Sequence, residues 1–210
     1  MHGFLYGCAV PVQPDDLTAK ARIREAALEL FARDGVAGAS MRSIAARAGV
    51  SSSLVVHHYR SKAALREAVD DAVLHAFDEA VRAVDLSGSP VEVSEHLNVA
   101  ISGIIGGDRA VRDYLGRSLL EASPASYRLF DALVDLVGEG LDTLEAGGQV
   151  RRGSDRTWRA YAVLFIILGP MVLSRQIEAR LGVDAFDPAI VRARSACNIE
   201  ILQHGLFETR

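Results

Sequence analysis

The sequence predicts an all-α protein: an N-terminal three-helix helix-turn-helix domain followed by a helical bundle, about nine helices in all. Three observations carry this. Alanine, leucine, arginine and glutamate recur along the whole chain, and these residue types favour helix. No β-branched run alternates with period two over more than a few residues. Serine, aspartate, glycine and proline fall between the apolar-periodic segments where helices would start and stop.

The elements follow in order. Residues 18–34 are amphipathic, with Ile23, Ala27, Leu30 and Phe31 at i, i+4, i+7 and i+8, and Gly35 supplies a stop. Ser40 can cap a second helix, in which Met41, Ile44, Ala45 and Ala48 keep helical spacing until Gly49. Ser51 can cap a third helix, with Val55 and Tyr59 on one face and Val50 just outside. Ser61 can cap a fourth, from Lys62 to about Val84. Ser89-Pro90, with Glu92 placed for a capping box, opens a fifth. Gly106-Gly107 breaks the chain and Asp108 restarts it. Ser123-Pro124 opens a seventh helix, closing near Gly147-Gly148. Ser154 or Asp155 starts a long eighth to about Arg180, and Asp187-Pro188 a ninth to about Leu206. The expected organisation is a mobile N-terminal tail over residues 1–17, a helix-turn-helix domain over 18–62, and a larger helical bundle over 63–210.

Charge is distributed unevenly. The chain of 210 residues has a formal net charge of −4. Residues 17–66 carry nine Lys/Arg against three Asp/Glu, a net of +6. The other 14 basic and 24 acidic groups leave the rest at −10. A basic module on an acidic body points to a polyanionic partner for the first part, the alternative being a solvated charged surface. Cys8 and Cys197 form no close pair, so neither a disulfide framework nor a zinc motif is legible, and a cytoplasmic protein is expected. The start "MHGFLYGCAV" lacks the basic n-region and the apolar length of a signal peptide. The apolar run "AYAVLFIILGPMVL" has 14 residues and contains Gly169-Pro170. A membrane span needs about 20, so a buried helix is expected and no membrane partner.

The stretch "SSSLVVHHYRSK" (51–62) concentrates hydrogen-bonding groups beside a few apolar ones. Two short helices separated by "AGVS" form a helix-turn-helix pattern in which Gly49 can take positive φ, Ala45 allows close approach, and Val50 and Val55 close the core. The second helix then presents Ser52, Ser53, Val56 and His57 on its free face. A helix of this size fits the major groove of double-stranded DNA and can read base edges. An ordinary helical corner packed into a larger core is the alternative. Lys62 and Arg42 each lie in the first turn of a helix, where a cation opposes the macrodipole. A docked phosphate would make both placements favourable; otherwise each side chain simply reaches into water.

The segment "RIREAALELFARDGVAGASMRSIAARAGVSSSLVVHHYRSKAALREAV" resembles the N-terminal domain of the TetR family of bacterial transcriptional regulators, over about residues 18–69. The motifs "AALELFARDG", "IAARAGVS", "HHY" and "SK" carry the resemblance. It implies a homodimer with an all-helical C-terminal domain that binds a small molecule. By position it implies DNA contacts from Ser40, Arg42, Ser52, Ser53, Leu54, Val56, His57, His58 and Lys62. The chain departs from the family pattern at Ser52, Ser53 and Val56, where the family often has a long side chain, Gly or Pro, and Tyr. Base preference therefore does not transfer from relatives, and Val56 is left to touch a thymine methyl or to make fewer contacts.

Catalytic and cofactor chemistry find no support. The six histidines make no His-x-x-x-His pair, "GLDTLEAGG" lacks phosphate-loop spacing, and no serine or cysteine sits in a nucleophile elbow. The expectation is a non-enzyme without cofactor or metal. In the C-terminal half, Phe77, Tyr114, Arg117, Tyr127, Phe130, Trp158, Tyr161 and Phe165 are large or polar groups on apolar-periodic helices. They are candidates for lining an effector pocket, with plain core packing as the alternative for each. By analogy with the family, the last two long helices would pair across a homodimer, with Ala196, Ile199 and Leu202 at near-helical spacing. The sequence thus reads as a dimeric DNA-binding repressor on a palindromic operator, released by an unknown small molecule. A ligand-independent DNA-binding dimer and a sensor that has lost DNA binding are the alternatives.

Overall fold

The computed structural model describes the backbone of residues 14–151 and 155–204 and, within these, the side chains of 18–151 and 155–202. Ten α-helices and no strands occur among them: α1 (Pro14–Gly38), α2 (Met41–Ala48), α3 (Ser52–Tyr59), α4 (Lys62–Arg82), α5 (Pro90–Gly107), α6 (Arg109–Ser118), α7 (Pro124–Ala146), α8 (Arg156–Val172), α9 (Ser174–Leu181) and α10 (Pro188–His204).

The starts lie where the capping residues place them. Ser40, Ser51, Ser61, Ser89, Asp108, Ser123 and Asp155 each accept a backbone N–H of the following first turn, and Ser89 and Glu92 complete a capping box. Three details differ from expectation. Helix α1 begins at Pro14, inside the segment expected to be tail; residues 1–13 lie outside the described residues. Gly35 (φ 75°, ψ 162°) interrupts the helix as expected, but one more turn follows to Gly38. The long helix expected from Ser154 or Asp155 to Arg180 is two helices, α8 and α9, bent by 64° at Leu173, which raises nine to ten. Pro170, which lacks an N–H and whose ring crowds the preceding turn, is carried inside the last turn of α8, and the break follows three residues later at Leu173. Ser154 and the end of the last helix near Leu206 lie outside the described residues.

The core runs from the N-terminal helices into the bundle without interruption. Ile23, Ala27, Leu30 and Phe31 of α1 are buried, as are Ile44 of α2, Val55 of α3 and Leu65 of α4. α1 packs along α6 and against α2 and α4; α7 pairs with α8; α10 lies on α5. At the α6–α8 crossing Gly116 is buried, and a Cβ there would meet the carbonyl oxygen of Met171 at 3.1 Å, so glycine sets how closely the two helices approach. The Phe31 ring of α1 stacks on Tyr114 of α6 at 6.4 Å.

A polar joint crosses this core. The Tyr114 hydroxyl donates to Asp70 Oδ1 of α4 at 2.5 Å, and Arg66 Nη1 donates to Glu121 Oε2 at 2.8 Å. Arg66, Asp70 and Ser118 are all buried. Burial raises the Asp70 carboxyl above its ordinary range against the opposing pull of Tyr114 and Arg66, and burial likewise raises the Tyr114 hydroxyl. No single helix among the described residues is long and apolar enough to cross a membrane.

Candidate functional site

The α2–turn–α3 unit is held by local hydrogen bonds that the sequence dictates. Ser40 and Ser43 cap reciprocally: the Ser43 N–H donates to Ser40 Oγ and the Ser40 N–H to Ser43 Oγ, both at 3.0 Å. Gly49 adopts φ 67°, ψ 36°, the left-handed conformation that lets the Val50 N–H reach the Ala45 carbonyl at 3.0 Å. Ser51 Oγ accepts from the Leu54 N–H at 3.2 Å.

Helix α3 is anchored on one side and bare on the other. Val55 and Tyr59 are buried, and the Tyr59 hydroxyl donates to the Lys20 carbonyl at 2.9 Å, fastening α3 to α1. Ser52, Ser53, Val56 and His57 are exposed, with Val56 at 48%. An exposed valine flanked by polar groups is what a helix reading base edges and methyls would present. Leu54 and His58 are half-buried, and the His57 and His58 rings sit edge to face at 5.4 Å. Ser40 and Arg42 are exposed at the start of α2. Arg42 makes no ion pair among the described residues, which leaves its guanidinium available to an anion.

Two basic residues differ from the sequence reading. Lys62, expected to hold a phosphate, is half-buried; its Nζ donates to Ala39 O at 2.9 Å and Ala37 O at 3.3 Å. Two of its three N–H groups therefore tie the start of α4 to the corner between α1 and α2, and the carbonyls offset its misfit with the macrodipole. Arg60, which the sequence reading passed over, joins α3 to α4 at φ 54°, ψ −39° with its side chain exposed beside the free face of α3. Nothing in an Arg-Ser pair signals that conformation; it comes from the α3–α4 junction.

The eight candidate pocket residues fall in several places, and only Phe130, Trp158, Tyr161 and Phe165 come together as one aromatic group. Phe77 is core, and Tyr114 is core with its hydroxyl committed to Asp70. Arg117 is exposed, its Nε and Nη2 donating to the Ala32 and Arg33 carbonyls at 3.1 and 3.2 Å, so it clasps the end of α1. Tyr127, Trp158 and Phe165 lie on the surface, Trp158 at 63%. Phe130 and Tyr161 are half-buried with ring centroids 5.8 Å apart. The hollow in this region is an open groove of about 710 Å³ between α7 and α8, and of the eight only Tyr161 lines it. On the outside of the bundle, Trp158, Ala162 and Phe165 form an exposed apolar stripe on α8, and Leu173 at the bend is exposed as well. On α10, Ala196 and Leu202 are exposed and Ile199 is half-buried.

This geometry can now be compared with known proteins. The family model of bacterial regulatory proteins, tetR family, matches residues 23–69. The HTH-type transcriptional regulatory protein RaaS of Mycobacterium tuberculosis is 37% identical over 145 residues, 69% of this chain and 66% of that protein. The chain belongs to the TetR family. As a TetR-family transcriptional regulator it shares its fold with FadR of Bacillus subtilis in complex with stearoyl-CoA (TM-score 0.68, 14% identity, 89% of this chain and 99% of that one). It also shares it with AibR in complex with isovaleryl coenzyme A and operator DNA (TM-score 0.63, 18% identity, 90% and 100%). The family match ends at Glu67, Ala68 and Val69 of α4, so it covers the helix-turn-helix and the start of the connecting helix.

Proposed function

We propose that this TetR-family regulator is a repressor that binds a palindromic operator as a homodimer and is released by a small-molecule effector. Residues 18–62 form the DNA-binding unit, and 63–210 the effector and dimer unit. The observation that carries the reading is the two-sided α3. Val55 and Tyr59 are locked into the N-terminal core, while Ser52, Ser53, Val56 and His57 face solvent. Bases are met by that face; the backbone is met by Ser40, Arg42, Arg60 and the remaining N–H of Lys62. Exposed apolar stripes on α8 and α10 support a homodimer, since a stripe of this kind marks an interaction surface. Two recognition helices related by a two-fold axis would then read half-sites one or more helical turns apart.

Release follows from linkage. An effector that weakens DNA binding must prefer the DNA-incompetent arrangement of α3, and DNA must weaken the effector equally. α6 is placed to transmit it, because Arg117 holds α1 and Tyr114 holds α4. The fold neighbours named above bind CoA thioesters, which makes an acyl-CoA the first effector to assay. The test is a mobility-shift titration of the purified protein with genomic fragments at two salt concentrations. Sequence-selective, salt-dependent binding supports the reading, and the absence of any binding contradicts it.

A further inference from the structure

Positive charge gathers at the foot of α3 from two directions. The Tyr59 hydroxyl donates to the Lys20 carbonyl at 2.9 Å, which brings the early turns of α1 to the last turn of α3. The Lys20 ammonium lies 5.9 Å from the centroid of the Tyr59 ring. Burial raises the Tyr59 hydroxyl and the charge of Arg24 opposes that rise, so Arg24, one turn further along α1, acts on the same tyrosine. Arg60 follows Tyr59 in a γ-turn: the Ser61 N–H donates to the Tyr59 carbonyl, and Arg60 takes φ 54°, ψ −39°. A non-glycine residue held at positive φ is uncommon, and such residues cluster at functional sites. Lys20 and Arg60 are exposed and Arg24 is half-buried. None of the three side chains meets a carboxylate among the described residues. The side of α1 toward α2 is different. There Arg47 pairs with Glu29 at 2.6 Å, and Arg22, Glu25, Glu29 and Arg47 line one small hollow of mixed sign.

From this cluster we infer that Lys20 and Arg24 of α1, continued by Arg60, form a second phosphate anchor that grips the backbone of duplex DNA at the foot of α3, while Arg42 grips it from the start of α2. The inference rests on reading α3 as the helix that meets the bases, and it adds α1 to the binding surface. Lys20 and Arg24 stand at i and i+4, a spacing at which like charges weaken a helix. No carboxylate among the described residues offsets that repulsion, and phosphates would. Positive groups spread over a helix and a turn match a line of phosphates rather than one small anion, and a guanidinium fork takes phosphate oxygens in pairs. Contacts of this kind fix register and orientation and carry no base information. The anchor therefore seats α3 in its groove and leaves sequence choice to the free face.

The experiment titrates the full-length protein with a duplex that wild type selects from genomic DNA, and with random duplex, over a series of salt concentrations. The variants are Lys20→Gln with Arg24→Gln, the charge-keeping pair Lys20→Arg with Arg24→Lys, and Arg22→Gln as a control on the other side of α1. The expected result for the neutral pair is a salt slope shallower by about two units, because each lost phosphate contact removes about 0.9. The loss should be equal for selected and random DNA, with discrimination between them and the melting temperature unchanged. The charge-keeping pair and Arg22→Gln should keep the wild-type slope. An unchanged slope in the neutral pair, an equal fall in Arg22→Gln, a fall that the charge-keeping pair shares, or a loss confined to the selected duplex overturns the inference. Wild type is the reference for the reading beneath it. Wild type that binds no DNA removes that reading, whereas wild type that binds DNA with a slope the neutral pair does not move removes the anchor alone.

Discussion

The hydroxyl of Tyr114 on α6 donates to the carboxylate of Asp70 on α4 at 2.5 Å, inside the core. One short hydrogen bond thus joins the bundle to α4, the helix that follows α3 across the Arg60–Ser61 junction. Tyr114→Phe keeps the ring stacked on Phe31 but leaves a buried carboxylate short of a donor, at a cost of about 1–3 kcal/mol. Urea unfolding should show a lower midpoint at unchanged m, and an unchanged midpoint would contradict the joint's role.

The same joint has a pH signature. Asp70 is raised above its ordinary value of 3.8 chiefly by burial, so the folded state holds its proton more tightly than the unfolded state does. Its contribution to stability is therefore fully present below 3.8 and is lost as pH rises through the folded-state value. Asp70→Asn, which cannot titrate, should gain on wild type as pH is raised across that window. A constant difference in unfolding free energy between the two proteins at every pH would contradict it.

Lys62 separates two roles that its position in the sequence left merged. Lys62→Met removes the bonds to Ala37 and Ala39 and should lower stability by about 1–2 kcal/mol even without DNA. If the third N–H also meets a phosphate, the salt slope of DNA binding falls by about one unit, equally for all sequences. Thermal melting and salt titration read the two effects separately. Wild-type melting together with weakened DNA binding would give Lys62 wholly to the nucleic acid.

Gly116 lies where α6 meets the backbone of α8 at its closest. Gly116→Val would drive Cβ and two methyls toward the Met171 carbonyl, 3.1 Å from where Cβ must sit. Overpacking of this kind costs about 1–3 kcal/mol. A lowered melting temperature is expected. An unchanged one would mean that α8 can slide away from α6 freely.

The proposed dimer surface is tested at Leu202, half exposed on α10. Leu202→Glu should yield a monomer in light scattering, because a charge would be buried without a partner. A dimer that survives this substitution and Phe165→Glu on α8 would place the interface elsewhere.

Much of this was legible in the sequence because it is local. A serine or aspartate one residue before an apolar-periodic segment fixed the start of every helix from α2 to α8, and Gly49 fixed the turn between α2 and α3. What the sequence left out is set by distant partners. Lys62 meets carbonyls 23 and 25 residues away, Tyr114 a carboxylate 44 away, and Arg117 carbonyls 84 and 85 away. No spacing rule encodes such pairs, so Arg117 and Tyr114 read as pocket residues although they brace α1 and α4. The bend at Leu173 was hidden because a proline can also be carried inside a continuous helix.

The central claim is that the exposed face of α3 reads DNA while its buried face only holds it in place. It is tested most directly by titrating wild type and His57→Ala against a fragment that the wild-type protein selects from genomic DNA, and against random DNA, at two salt concentrations. The expected result is a loss of about 1–3 kcal/mol of discrimination between the two DNAs, with the salt slope and the melting temperature unchanged. Undiminished discrimination in His57→Ala, or an effect confined to the salt slope, would contradict the assignment of this face.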